Sequence, residues 1–280
     1  MPRAACAKHS PLSERAEMLL VTRRGSATLT KLVALILLCG VYVSAAPAEV
    51  QQSDPYQPWA RVLAKFANER GEVYFHALAR NRTDLDNFLD YVAQVSPRTA
   101  PESFSGKEAK LAYYLNAYNA LAMFNVIDSG TPTSLTGLTK VRFFGFKRFS
   151  IGGERMSLYS LENDVIRPFS DERVHFALNC MSVGCPRLPR EPFRADKLNQ
   201  RLDEEARRFF SEARNFQVLH ERKLVRASSI LKFYPEDFLA KSPTLIAYIN
   251  RYASVKIPED YRIEFVDYDW TVNSQRREWN

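Results

Sequence analysis

The stretch "SGKEAKLAYYLNAYNALAMFNVID", residues 105–128, decides how this chain folds. Between positions 111 and 127 no residue carries a charge. A helix that is uncharged on every side must be surrounded by protein, so the stretch predicts a buried central helix. Ser105 with Glu108 reads as a capping box at its start, and Ser129-Gly130 followed by Pro132 closes it. Asn116, Asn119 and Asn125 lie inside the apolar run. On helical spacing Asn116 and Asn119 share a stripe with Ala112 and Met123, away from the face of Leu111, Leu115, Tyr118 and Ala122. A buried amide left unpaired costs about 1–3 kcal/mol, so each of these side chains calls for a partner.

Outward from this helix, residues 49–58 are polar and contain Pro55 and Pro58, and 59–90 carries apolar residues at helical spacing. Leu63, Phe66 and Ala67 are followed by Tyr74, Phe75 and Leu78, then, after Thr83 as an N-cap, by Leu85, Phe88, Leu89 and Val92. Toward the C-terminus, 143–158 alternates around Gly152-Gly153 and predicts a hairpin. A short helix is expected over 158–166 and a buried strand over 174–178. Residues 195–211 form an amphipathic helix in which Arg201, Arg207 and Arg208 interleave with Asp203, Glu204 and Glu205, a pattern that reads as a solvated face. A second hairpin over 216–226, helices over 229–240 and 243–252, and a strand over 261–266 complete the chain. Strands and helices do not alternate regularly, which favours an α+β single domain over a doubly wound sheet. The expected arrangement is a buried central helix on a small, mostly antiparallel sheet, with 49–104 as a helical lead-in and 105–273 as the core.

The first 48 residues read as an export signal. Arg23, Arg24 and Lys31 precede an uncharged apolar run over 32–43, and Ala46-Pro47-Ala48 is a small-x-small cleavage site. The apolar run is about a dozen residues, short of the roughly 20 that a spanning helix needs. Translation from Met18 rather than Met1 gives a leader of ordinary length. A cleaved leader places the protein in the periplasm or outside the cell and lets it meet a membrane only through its export signal.

The chain has 39 basic and 32 acidic residues, net +7, but the leader holds six of the cations and two of the acids. Residues 49–280 are therefore 33 to 30, or +3, too balanced for bulk charge to argue for nucleic acid. Cys180 and Cys185 are the only cysteines outside the leader.

These two thiols sit in "HFALNCMSVGCPRLP", residues 175–189, and admit three chemistries. A disulfide fits the spacing and an oxidising compartment and is the favoured reading. A thiolate nucleophile at Cys180 needs His175 as base and a third group, such as Asn116 or Asn119, to orient the imidazole. In a regular strand His175 and Cys180 point to opposite faces, so they meet only if the chain turns at Asn179. A metal held by Cys180, Cys185 and His175 lacks a fourth ligand nearby, and neither a metal nor a cofactor is expected.

Five segments carry a likeness: "YYLNAYNAL" (113–121), "FSIGGERMSLYSLENDVIR" (149–167), "VHFALNCMSVGCPRL" (174–188), "SILKFYPEDF" (229–238) and "VDYDWTVN" (266–273). In this order and spacing they resemble the bacterial, exported branch of the domain of unknown function 547 family. The resemblance implies that Asn116, Asn119, Glu162, Arg167, His175, Asn179, Cys180, Cys185, Pro186 and Trp270 are signature positions here. Met181-Ser182-Val183-Gly184 departs from the smaller residues usual before the second cysteine. No agreed activity comes with the family.

Two functions are compatible with these residues. One is a polar cleft built around His175, Asn116 and Asn119 and braced by Cys180-Cys185, with Asn179, Glu162, Arg167 and Trp270 binding a small-molecule or cell-envelope ligand. The other is a hydrolase or transferase acting on an amide-type envelope substrate, with His175 as base, Cys180 as nucleophile and the asparagines as orienting or oxyanion groups.

Overall fold

The structure, a computed structural model, describes residues 54–275; the leader expected over 1–48 lies outside them. Three helices come first, α1 (Gln57–Phe66), α2 (Phe75–Arg80) and α3 (Thr83–Gln94). Their apolar stripes place Trp59, Leu63, Phe66, Phe75, Leu78, Leu85 and Phe88 in one buried cluster with the helix that follows. Trp59 and Phe88 stack there with ring centroids 5.7 Å apart. That next helix, α4 (Gly106–Asp128), is the uncharged run, and every residue from position 111 to position 123 is buried.

The end of α4 follows its sequence signal. Gly130, at φ 78°, donates its N–H to the Ile127 carbonyl at 3.0 Å, and Thr131 donates to the Val126 carbonyl at 2.8 Å. These are the two bonds of a Schellman stop. The start differs from the expected capping box. The chain enters at Gly106 with φ 82°, and the Ser105 side chain caps no amide.

After α4 come α5 (Gly137–Val141) and a π-helical turn over Arg142–Phe146. The hairpin expected around Gly152-Gly153 then forms as β1 (Phe149–Ile151) and antiparallel β2 (Glu154–Met156). Gly152 has φ 55°, and a Cβ there would fall on the Ser96 hydroxyl, so glycine is required. The expected helix over 158–166 begins as α6 (Leu158–Ser160) and continues as π-helix through Ile166, and a 3₁₀ turn (Arg167–Phe169) follows.

The strand expected over 174–178 is instead a 3₁₀ helix, Glu172–Phe176. Asp171 caps it by accepting the Arg173 N–H at 3.2 Å, and the Arg173 guanidinium is held by Asp171 and Asp203. Periodicity misled here because the segment is wedged between two cores. Val174, Ala177 and Leu178 belong to the first cluster and Phe176 to the second, so all sides are apolar whatever the backbone does.

The remainder builds the second cluster. Helix α7 (Leu198–Ser211) precedes strands β3 (Phe216–Leu219) and β4 (Leu224–Ser228), which pair antiparallel. Helices α8 (Ile230–Phe233), α9 (Pro235–Leu239) and α10 (Leu245–Tyr252) lead to β5 (Arg262–Val266), which pairs with β4 in parallel. The protein is thus α+β, with one antiparallel hairpin and one mixed three-stranded sheet. Helix α4 takes its closest neighbours from other helices, whereas the mixed sheet packs chiefly against α7 and α8. Among the described residues no helix is long and apolar enough to cross a membrane.

The charged face of α7 is not wholly solvated. Glu205 is buried, and its carboxylate accepts from Arg187 at 2.8 Å and lies 3.3 Å from Arg201. Burial raises the pKa of Glu205 and lowers that of Arg187. Interleaved charge along a helix could not reveal this, because Arg187 arrives from the loop after the second cysteine.

Candidate functional site

The asparagines of α4 hold loops. Asn116 donates to the Phe193 carbonyl and accepts from the Phe193 N–H, both at 2.9 Å. Asn119 donates to the Ala177 carbonyl at 3.0 Å and accepts from the Asn179 N–H at 2.8 Å. Asn125 donates to the Phe143 carbonyl at 3.0 Å. The Asn116 and Asn119 amides therefore each mimic a backbone pair for a segment that has no strand neighbour.

Asn179 carries that anchoring into the cysteine loop. Its Oδ1 accepts from the Met181 N–H at 2.7 Å, an Asx turn that supports Met181 at φ 66°, and its Nδ2 donates to the Pro186 carbonyl at 2.6 Å. Cys180 and Cys185 are joined as a disulfide, with Cα atoms 6.2 Å apart. The loop docks on the C-terminal segment: Val183 donates to the Thr271 carbonyl and Gly184 to the Asp269 carbonyl, each at 2.8 Å. A Cβ on Gly184 would lie 3.0 Å from the Asp269 backbone, which accounts for glycine there. The Tyr268 hydroxyl reaches Cys185 Sγ at 3.1 Å and pairs with the Ser182 hydroxyl at 3.2 Å.

The disulfide spans a sequence separation of 5, a small loop. Its closure is worth about 2 kcal/mol in the chain-entropy model. Urea titration with and without reductant is therefore expected to show a loss of about 2 kcal/mol on reduction. Superimposable curves would show that the anchoring by Asn119 and Asn179 already holds the loop alone.

Behind this loop lies a cleft of about 610 Å³. Glu162, Arg167, His175, Cys180, Cys185 and Trp270, singled out from the sequence, all line it; Asn116, Asn119 and Asn179 are not among its lining residues. A row of aromatic rings forms one side, with Phe144 near Trp270 (6.2 Å between centroids), Trp270 near Tyr268 (4.4 Å) and Tyr268 near Phe233 (5.4 Å). Tyr234 continues the row and stacks on the His175 imidazole at 3.9 Å.

His175 is buried, and its Nε2 lies 2.7 Å from Asp237 Oδ2. An ionised carboxylate only accepts, so Nε2 carries a proton there, and Nδ1 is the second ring nitrogen. Among the described residues nothing hydrogen-bonds that nitrogen. Arg167 grips the same carboxylate through Nε at 2.8 Å and a second nitrogen at 2.9 Å, and also reaches Glu236 at 2.7 Å. Glu162 is held differently: its two oxygens accept from Tyr234 at 2.6 Å and from Tyr118 at 3.2 Å. Burial first, and the Glu162 charge second, raise the pKa of both phenols and keep them protonated as donors.

The hydrogen bond from His175, followed by that from Arg167, holds Asp237 well below the usual carboxylate range. For a lowered carboxylate the stabilisation is complete above the unfolded value of about 3.9. It is lost as pH falls further, because the unfolded chain then binds a proton that the folded chain refuses. Melting temperatures measured from roughly pH 5 down to pH 2 should fall more steeply for the parent than for Asp237→Asn. Parallel profiles would remove Asp237 as a linked group.

Sequence reading missed Asp237 as the partner of His175, having looked to Asn116 or Asn119 for that role. The signal was present in "YPEDF", residues 234–238, inside a quoted segment, but nothing local ties it to a histidine 62 positions earlier. Tyr118, Phe144, Tyr234 and Tyr268 were likewise not singled out, since aromatic residues in a run of apolar ones read as core. Cys180 is bonded to Cys185, so in this state its sulfur is part of a disulfide rather than a thiolate. Among the described residues no three metal-ligating side chains cluster.

No curated protein and no solved structure matches the chain at a significant level. Tyr234, Asp237, Tyr268 and Trp270 lie C-terminal to a family match over residues 101–210, whereas Asn116, Asn119, Glu162, Arg167, His175, Asn179 and both cysteines fall within it. Residues 101–210 match the model described as "Protein of unknown function, DUF547", so this part of the chain is similar to the family that its motifs resemble.

Proposed function

We propose that this protein is exported and binds a small cell-envelope ligand in the cleft faced by His175, Glu162 and Trp270. The observation that carries the reading is convergence. Glu162 and Arg167 from the turns after α6, His175 from the 3₁₀ helix, the cysteine pair from its loop and Trp270 from the C-terminal segment all face one volume. A concave, mostly apolar pocket with a few fixed polar groups is the usual form of a small-molecule site. Export rests on the leader over 1–48 and accords with the disulfide, which persists in oxidising compartments. The near-balanced charge of residues 49–280 accords with a small-molecule partner rather than nucleic acid.

The test is a thermal-shift screen of the purified protein against cell-wall fragments, amino sugars and lipid headgroups. At least one is expected to raise Tm in the parent and to lose that effect in Trp270→Ala and in His175→Gln. A screen without a hit, or a hit indifferent to both substitutions, would sink the reading.

One observation favours a second, catalytic reading. An imidazole oriented by a carboxylate, on a residue that lines a cleft, is the arrangement of a general base. This version is independent of thiol chemistry, so turnover of an amide or ester substrate should vanish in His175→Gln and survive Cys180→Ser paired with Cys185→Ser. The reverse pattern would restore the cysteine as nucleophile.

A further inference from the structure

Resting on the binding reading above, we propose that the ligand of this cleft carries a cationic group, an ammonium attached to an apolar body, recognised by Glu162 and the aromatic row.

One carboxylate, Glu162, lines the cleft, and a second, Asp237, is bonded to two of its lining residues; the two are neutralised differently. Asp237 is matched by Arg167 in a two-point grip and by His175. Glu162 is buried and lines the cleft, yet its two oxygens receive only phenolic hydroxyls, from Tyr118 and Tyr234. No cation pairs with it among the described residues. Hydroxyl donors satisfy the lone pairs of a carboxylate without cancelling its charge, and a buried charge is costly unless paired. The protein therefore maintains an uncompensated negative charge facing a cleft, a condition that a cationic ligand relieves.

The walls suit the same class of ligand. Phe144, Trp270, Tyr268, Phe233 and Tyr234 line the cleft as a continuous row, and the faces of such rings attract cations. The chain itself demonstrates the contact: Lys140, on α5, also lines the cleft and sets its ammonium 3.6 Å from the Trp270 ring centroid. Lys140 has no acidic partner among the described residues, so the ring is what receives its charge. An incoming ammonium group competes with Lys140 for that face and continues inward to Glu162. Arg167 also lines the cleft but adds no free positive charge, being committed to Asp237 and Glu236. An anionic ligand would meet the Glu162 carboxylate, and the lining cation without an acidic partner, Lys140, is already seated on the Trp270 ring.

The experiment compares three isosteric probes on the full-chain protein by ligand-observed NMR titration: choline, neutral 3,3-dimethylbutan-1-ol and anionic 3,3-dimethylbutanoate. Choline is expected to bind about tenfold more tightly than the neutral probe, and the anion not at all. The preference should collapse in Glu162→Gln, checked for native circular dichroism. Should that variant misfold, Lys140→Met on exposed α5 provides the second reading, with choline affinity rising about threefold as the internal competitor is removed. Equal binding of choline and the neutral probe would overturn the cation proposal and leave the cleft as a binding site. Tighter binding of the anion, or no binding by any probe, would overturn it as well, while the envelope screen judges the cleft reading separately.

Discussion

Replacing Asn119 with alanine is expected to destabilise the protein by about 3 kcal/mol or more, the largest effect of any single polar side chain at the site. Asn119 is 2% exposed and makes two hydrogen bonds, to the Ala177 carbonyl and the Asn179 N–H. Truncation leaves that carbonyl and that N–H buried without partners, each costing about 1–3 kcal/mol. A buried amide-sized void adds to the loss, since packing relaxes only in part. The damage also reaches function, because the two bonds bracket Leu178, which lines the cleft, and hold the residue before Cys180. Asn119→Asp separates the contributions: it retains the acceptor for Asn179 but loses the donor to Ala177 and buries a charge. Urea denaturation of both variants decides the point. A loss below about 1 kcal/mol for Asn119→Ala would mean that the loop finds other partners.

Arg187→Met is expected to cost a similar amount, about 3 kcal/mol, for an unrelated reason. Arg187 and Glu205 form an ion pair with side chains 7% and 3% exposed, and removing one partner strands the other charge in the interior. Breaking such a pair typically costs about 3–5 kcal/mol, and the lower end applies here because Arg201 remains 3.3 Å from Glu205. The double variant Arg187→Met with Glu205→Leu should recover most of the loss, since desolvating two charges largely offsets their attraction. If the double variant were as unstable as the single, the pair would contribute net stability rather than cancel its own burial cost. Chemical denaturation of the four proteins forms a complete cycle for this coupling.

The two variants lie on either side of the cysteine loop and show how it is held. Asn119 fixes its entry from α4, and Arg187 ties its exit to α7. The cleft wall is therefore set by long-range polar clamps more than by the small covalent loop between them, which is why reduction is expected to cost less than either substitution.

What could be read in the residues alone was local. The uncharged run over 111–127 announced α4 and its burial, Ser129-Gly130 its stop, and Gly152-Gly153 the first hairpin, because each signal operates within a few positions of the residues that carry it. The need for partners at Asn116 and Asn119 was equally legible, since burial makes an unpaired amide costly. Their identity was not, for the partners lie 77 and 58 residues away.

Tertiary structure decided the rest. It set Glu172–Phe176 as a helical turn, since a segment wedged between two cores is apolar on every side and loses its periodicity. It drew Glu205 inward to meet Arg187, and it brought Asp237 to His175 across 62 positions. Helix propensity, turn chemistry and hydrophobic period are properties of neighbouring residues, and so they were present in the sequence. Which carboxylate faces which cation, and which rings share a cleft, depend on how distant elements pack, and no local pattern encodes that geometry.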